Sequence, residues 1–228
     1  PQIAELRPFP STLSTLIVPD LTEPAPELPY QIQILSREEF LSDAQPCTDL
    51  LGPAISDIAT IMYTSGTTGP SKGVMMPWGQ MHRTASADIF IGDFTPEDAY
   101  YLPFPLFHIS GKGPIYTFLI NGGRVVLKES FKTDEFWSDI DRYKCTTTLL
   151  LGAMANFLYR TPPSSRDHAT PLHTVVMVPL IPELQDFRDR FGVRVSTAFN
   201  MTEISCPLTS KGWSPPNTTS CGQLREGF

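Results

Sequence analysis

Apolar and polar positions along the chain change their pattern at Asp57. Before it the sequence is proline-rich and weakly periodic. Only Gln31–Leu35 reads as a strand there, and Arg37–Leu41 as a short helix. From Asp57 onward, short β-rich runs alternate with segments whose apolar residues recur at helical spacing. Ile58–Tyr63, Arg124–Leu127, Thr146–Leu151, Val175–Val178 and Val193–Phe199 predict strands, and Tyr100–Phe104 a strand or a buried loop. Gly79–Ile89, the stretch around Ile115–Asn121, Thr133–Tyr143, Ala153–Arg160 and Gln185–Phe191 predict helices. Within Thr133–Tyr143, Phe136, Trp137, Ile140 and Tyr143 form one apolar stripe. Pro182 suits a helix start and Gly192 a stop. Such alternation predicts an α/β fold with mainly parallel sheets flanked by helices. The expected organisation is a lead-in, residues 1–56, packing on an α/β core, residues 57–228.

Composition narrows the function. A chain of 228 residues can bury a sizeable core. The formal net charge of −7 disfavours nonspecific binding to nucleic acid or to an anionic membrane. No run of about twenty apolar residues occurs, so no transmembrane helix is expected. The opening PQIAELRPFP lacks the basic start and apolar centre of a signal peptide, and a cytoplasmic location is expected. Cys47, Cys145, Cys206 and Cys221 stand apart, without a CxxC pair or a histidine at zinc-finger spacing. They read as free thiols in a reducing compartment.

The densest chemistry lies in Tyr63–Val74, YTSGTTGPSKGV, directly after the apolar run Ile58–Met62. Glycines let backbone N–H groups approach an anion, hydroxyls add donors, and Lys72 adds a charge. A strand running into such a loop suits phosphate oxygens. A kinase-type P-loop requires Gly-Lys-Ser/Thr, but Lys72 follows Ser71 and precedes Gly73, so that template fails. Ligands of parallel α/β sheets sit at the carboxyl ends of the strands. The loop follows one strand and Asn200–Glu203 follows another, so the two are expected to meet over one pocket.

The loop closely resembles the signature loop of the adenylate-forming superfamily, which includes acyl-CoA synthetases, aryl-CoA ligases, luciferases and peptide-synthetase adenylation domains. Three further stretches resemble that family's motifs in the same order: YLPFPLFHISG (Tyr101–Gly111), FNMTE (Phe199–Glu203) and, loosely, TSCGQLREGF (Thr219–Phe228). The resemblance covers most of Asp57–Phe228. It implies part of the large N-terminal domain of such an enzyme. It also implies a two-step reaction: a carboxylate and ATP give an acyl-adenylate and pyrophosphate, and CoA then takes the acyl group. Two anions meet in the first step, so charge neutralisation and positioning dominate. By resemblance, Thr64, Ser65, Gly66, Thr67, Thr68, Gly69 and Lys72 hold the pyrophosphate portion of ATP. Glu203 is the Mg²⁺ ligand, Thr202 contacts the α-phosphate, and Phe199, Asn200 and Met201 lie beside adenine. His108 lies near the carboxylate, and His108, Gly111, Leu151, Gly152 and Ala153 contribute to the acyl pocket. Catalytic roles thus fall on His108, Thr202, Glu203 and Lys72.

Phe199 and Asn200 stand where the family usually has Tyr and Gly, and Met177-Val178-Pro179-Leu180 replaces a glycine-rich adenine segment. Phe107-His108-Ile109-Ser110-Gly111 looks like acid–CoA ligases, with the crotonobetaine/carnitine–CoA ligase branch the nearest likeness. The implied partners are a small carboxylic acid and CoA, and a homo-oligomer stays open. The family's ribose-binding aspartate, hinge and C-terminal domain with its catalytic lysine lie downstream of the last motif, and this chain stops at Phe228. The expectation is a fragment or truncated gene product that adenylates poorly or not at all alone. The alternatives are a catalytically silent nucleotide- or acyl-binding module and an unrelated phosphotransferase.

Overall fold

A computed structural model describes residues 2–21, 27, 28, 30–64, 70–85, 94–210, 215 and 217–228. The chain divides into two compact units, Pro1–Gly52 and Pro53–Phe228. In the first, β1 (Thr15–Ile17) pairs in parallel with β2 (Gln33–Leu35), followed by α1 (Arg37–Leu41). A reciprocal capping box starts α1: Ser36 Oγ accepts from the Glu39 N–H at 3.1 Å, and Glu39 Oε2 accepts from the Ser36 N–H at 2.8 Å.

The second unit opens with the antiparallel hairpin β3 (Ile58–Thr64) and β4 (Lys72–Pro77), then α2 (Trp78–Ala85). Next come β5 (Ala99–Leu102), α3 (Ile109–Ile120), β6 (Arg124–Leu127), α4 (Thr133–Tyr143), β7 (Thr147–Leu151), α5 (Gly152–Tyr159), β8 (Thr174–Val178), α6 (Leu184–Phe191) and β9 (Arg194–Ser196). These strands form one parallel sheet in the order β6-β5-β7-β8-β9. An antiparallel sheet of β10 (Ala198–Met201), β11 (Ser205–Thr209) and β12 (Gln223–Leu224) follows. The fold is α/β, with a parallel sheet flanked by helices.

Alternation along the central strands feeds two cores. Tyr101, Leu150, Val175 and Met177 pack with Phe136, Ile140, Leu158, Phe187 and Phe191 of α4, α5 and α6. Tyr100, Leu102 and Val176 pack with Phe118 of α3, Ala198 and Cys206 on the other side. Burial on both faces makes these strands read as continuous apolar runs.

Three local readings change. α3 begins at Ile109, well before Ile115, because His108 caps it and the helix accommodates Pro114. The run Val193–Phe199 splits between two sheets at Thr197. There the Thr197 N–H donates to Ser210 Oγ at 3.1 Å, and the Ser210 N–H donates to the Thr197 carbonyl at 2.8 Å. Tyr100–Phe104, expected as strand or buried loop, is strand only to Leu102, before Pro103, which has no N–H to donate. Strands β4, β11 and β12 carried no periodic signal. The expected helix Gly79–Ile89 is present to Ala85, and its remainder lies outside the described residues.

A clamp ties α6 to the loop after α5. Arg190 Nε donates to Asp167 Oδ2 at 2.7 Å, and its other nitrogens reach the carbonyls of Tyr159 (2.6 Å) and Pro162 (3.2 Å). Burial alone would raise the Asp167 carboxyl, but hydrogen bonds from the Ser164 N–H and Arg190 outweigh it and hold it below its ordinary value. A depressed carboxylate contributes stability above its unfolded pKa of about 4 and loses it as pH falls through the folded value. Arg190→Ala should therefore cost about 2 kcal/mol at pH 7. In urea unfolding the gap to the wild type should narrow toward pH 3; a gap that widens there rules out this account.

Candidate active site

The β3–β4 hairpin sets the first part of the site. Thr64 pairs with Lys72, so the two stand side by side where residues 65–71 bridge the strands. Ser65, Gly66, Thr67, Thr68 and Gly69 lie outside the described residues. Lys72 is exposed.

Helix α2 starts directly after β4 and holds the second part. Gln80 Nε2 donates to the Thr202 carbonyl at 2.7 Å. Thr84 Oγ1 and Ser205 Oγ lie 2.6 Å apart. Arg225 donates to the carbonyls of Cys206 (2.9 Å) and Arg83 (3.2 Å). Met201 pairs with Ser205, so Thr202, Glu203 and Ile204 form the turn between β10 and β11. Ser205 has φ 65, a left-handed conformation uncommon for a serine, and its contact with Thr84 helps to hold it. Thr202 is half-buried, and Glu203 is exposed at the tip. The helix that follows the β3–β4 hairpin is thus bonded to the turn that carries Thr202 and Glu203.

The third part is a cleft of about 420 Å³ lined by Phe104, Pro105, His108, Ser110, Leu149, Leu151, Val176, Val178, Ala198, Asn200 and Cys206. Its lining comes from β7, β8 and the segment after β5, beside the point between β5 and β7 where the sheet's connections reverse direction. That is the switch point at which parallel α/β sheets bind ligands. Leu149 is level with Val176 and Leu151 with Val178, so two adjacent strands present four aliphatic side chains as its floor. His108, Ser110 and Asn200 supply the polar side.

His108 has a fixed ring orientation. Its Nδ1 accepts from the Ser110 N–H at 3.1 Å and lies 2.7 Å from Ser110 Oγ, capping α3. With Nδ1 accepting from a backbone donor, a neutral ring carries its hydrogen on Nε2, the nitrogen left for a ligand. Burial pushes the Cys206 thiol up to about 11, so this thiol is protonated at neutral pH and acts as lining, not as a nucleophile.

The cleft brings together His108, Leu151 and Asn200 of the residues singled out from sequence. Gly152 and Ala153 are not in its lining. Gly152 is buried, and a Cβ there would meet the Pro179 carbonyl oxygen at 2.9 Å, while Ala153 is exposed. Gly111 lies behind the cleft against the Pro105 backbone. Phe199 and Met201 are 41% and 45% exposed, which leaves the Phe199 ring free for stacking on a ligand. Leu149, Val176 and Val178 were missed, although their period-two spacing with Leu151 was available as a signal. Among the described residues no group of three or more His, Cys, Asp or Glu could hold a metal. A lone exposed Glu203 suits a Mg²⁺ ion shared with phosphate oxygens better than an all-protein metal cage. No helix among the described residues is long and apolar enough to cross a membrane, and the four cysteines are free.

A hairpin, a carboxylate-bearing turn and an apolar cleft beside the carboxyl ends of parallel strands define an α/β protein with a candidate small-molecule site. The family profile described as AMP-binding enzyme matches residues 4–227. The chain belongs to the AMP-binding enzyme family. It is 30% identical over 168 residues to the crotonobetaine/carnitine–CoA ligase of Shigella sonnei (strain Ss046), covering 72% of this chain and 32% of that ligase. It thus spans about a third of the length of that relative. The O-succinylbenzoate coenzyme A synthetase of Bacillus subtilis, in complex with ATP and magnesium, matches with a TM-score of 0.67 and 27% identity, covering 85% of this chain and 41% of that one. ATP-bound MatB from Rhodopseudomonas palustris shares the fold, with a TM-score of 0.71 at 19% identity over 85% of this chain and 41% of that one.

Proposed function

We propose that this chain is the nucleotide- and acyl-binding core of an ATP-dependent acid–CoA ligase acting in the cytoplasm. The observation that carries this reading is the cleft at the sheet's switch point, with His108 and Asn200 on its polar side. In this reading the acid's tail lies over Leu149, Leu151, Val176 and Val178. Its carboxylate is oriented by His108 Nε2–H, with Nδ1 engaged at the start of α3. Lys72 and the donors of residues 64–69 neutralise the pyrophosphate portion of ATP. Thr202 approaches the α-phosphate, Glu203 holds Mg²⁺, and Phe199 stacks on adenine with Asn200 and Met201 beside it. Mg²⁺ supplies charge neutralisation on the phosphate oxygens. No general base is needed, because the attacking carboxylate is already ionised at neutral pH; what the residues supply is alignment and screening of two anions. CoA is the acceptor of the second step. Full turnover is proposed to need more than this chain, so it binds ATP but shows little ATP–pyrophosphate exchange by itself.

Lys72→Ala tests the phosphate assignment. Loss of one charge-assisted hydrogen bond of about 2 kcal/mol weakens binding roughly 30-fold. Calorimetric titration with ATP and Mg²⁺ should show that loss. Unchanged affinity removes Lys72, and with it the loop, from the nucleotide site. Brisk pyrophosphate exchange by the chain alone would overturn the binding-only part of the proposal.

A further inference from the structure

Resting on the acid-ligase reading above, we infer that the acid this cleft accepts is apolar beyond its carboxylate and of modest size, and carries no quaternary ammonium. The floor is aliphatic: Leu149 and Leu151 on β7 face Val176 and Val178 on β8 in register. Ala198, Pro105 and Phe104 continue the apolar wall. Among the described lining residues there is no carboxylate and no formally charged side chain. An onium group needs either a counter-charge or a cage of several aromatic faces. The described lining offers neither: besides the His108 imidazole, which is tied to Ser110, Phe104 is the one aromatic ring among its described residues. Burying an unpaired cation against four aliphatic side chains is strongly unfavourable.

The aliphatic floor also argues against adenine lying on it. A purine edge requires paired donors and acceptors, and the floor presents none. The polar groups, His108, Ser110, Asn200 and the Cys206 thiol, leave the aliphatic floor free of hydrogen-bonding atoms. That division suits an amphiphile with one anionic head. A volume of about 420 Å³ lies toward the low end of small-molecule sites, which run roughly 300–1,000 Å³. It holds a medium aliphatic or simple aromatic acid and not a long fatty chain. The Shigella sonnei relative is by its name a crotonobetaine/carnitine–CoA ligase; the cleft here is built for the opposite tail chemistry.

The test is calorimetric titration with four nucleosides: 5′-O-sulfamoyladenosine and its N-hexanoyl, N-(4-trimethylammoniobutanoyl) and N-palmitoyl derivatives. Each buried methylene is worth about fourfold, so the hexanoyl probe, with five alkyl carbons beyond its carbonyl, should bind up to about 1,000-fold tighter than the parent. The onium probe should gain nothing over the parent, and the palmitoyl probe nothing over hexanoyl. Val178→Phe, which fills the floor, should erase the hexanoyl gain, so that the hexanoyl probe binds this variant no tighter than the parent nucleoside does. Leu151→Phe, at a more exposed position, is the second variant if the first folds poorly. An onium probe that equals or beats hexanoyl overturns the inference, and so does a palmitoyl probe that binds tighter still. A parent that binds while no acyl group adds affinity sinks the substrate class alone. If neither the parent nor ATP binds, the ligase reading itself fails.

Discussion

Gly111→Ala should destabilise the protein by about 3 kcal/mol and weaken acyl binding with it. Glycine to alanine inside a helix ordinarily stabilises by up to about 1 kcal/mol, so the sign is diagnostic. Here a Cβ would lie 2.2 Å from the Pro105 carbonyl oxygen and 2.7 Å from its carbonyl carbon. Both are backbone atoms and cannot swing aside. The same carbonyl accepts from the His108 N–H at 3.1 Å, so relief of the clash moves the first turn of α3 and the His108 cap together. Gly113→Ala, two residues on, is the control. Its nearest neighbour would be Ile109 Cδ1 at 3.8 Å, an ordinary contact, and its stability should hold or rise. Urea unfolding of both variants decides the matter. Equal stability of the two would show that close approach at Gly111 does not position α3.

Phe136→Ala should cost about 4 kcal/mol, a large part of the roughly 5–15 kcal/mol available to a typical protein. Phe136 is fully buried, with its ring 5.2 Å from Tyr101, 4.8 Å from Trp137 and 5.7 Å from Phe131. Those contacts join α4 to β5, and β5 leads through Phe104 to His108. Removing the ring leaves a cavity that these large neighbours cannot close without leaving their own contacts. Chemical denaturation at pH 7 should show a lower midpoint with an unchanged slope. A loss below 1 kcal/mol would mean that the aromatic cluster is not the anchor of the sheet on this face.

Much of this scaffold was legible in the sequence where contrast existed. The stripe Phe136, Trp137, Ile140 and Tyr143 carries the bounds of α4, and Arg124–Leu127 matches β6 to the residue. Helix α3 lacked that contrast. Ile109, Thr117 and Phe118 are buried together with three small or rigid residues, Gly111, Gly113 and Pro114, so no polar face marks its start. The strand order is likewise absent from local pattern, because β5, β7 and β8 are buried on both faces and read alike. The same burial hid the cleft floor: Leu149 and Val176 look like core until the register shows which face of the sheet they occupy. His108 was legible from its motif, but its role as the cap of α3 depends on the Ser110 N–H, which only the fold reveals. Gly111 and Gly152 carry a second role that local pattern does not reveal: they allow close backbone packing at Pro105 and Pro179.

The account divides the site: phosphates at the hairpin loop, acid in the apolar cleft. A crystal structure of the chain with a nonhydrolysable ATP analogue and Mg²⁺ tests that division most directly. The account predicts phosphate oxygens between Thr64 and Lys72, the metal on Glu203, the adenine against Phe199, and the Leu149–Val176 floor left free of nucleotide. Adenine seated on that floor, or phosphates away from Lys72, would contradict it.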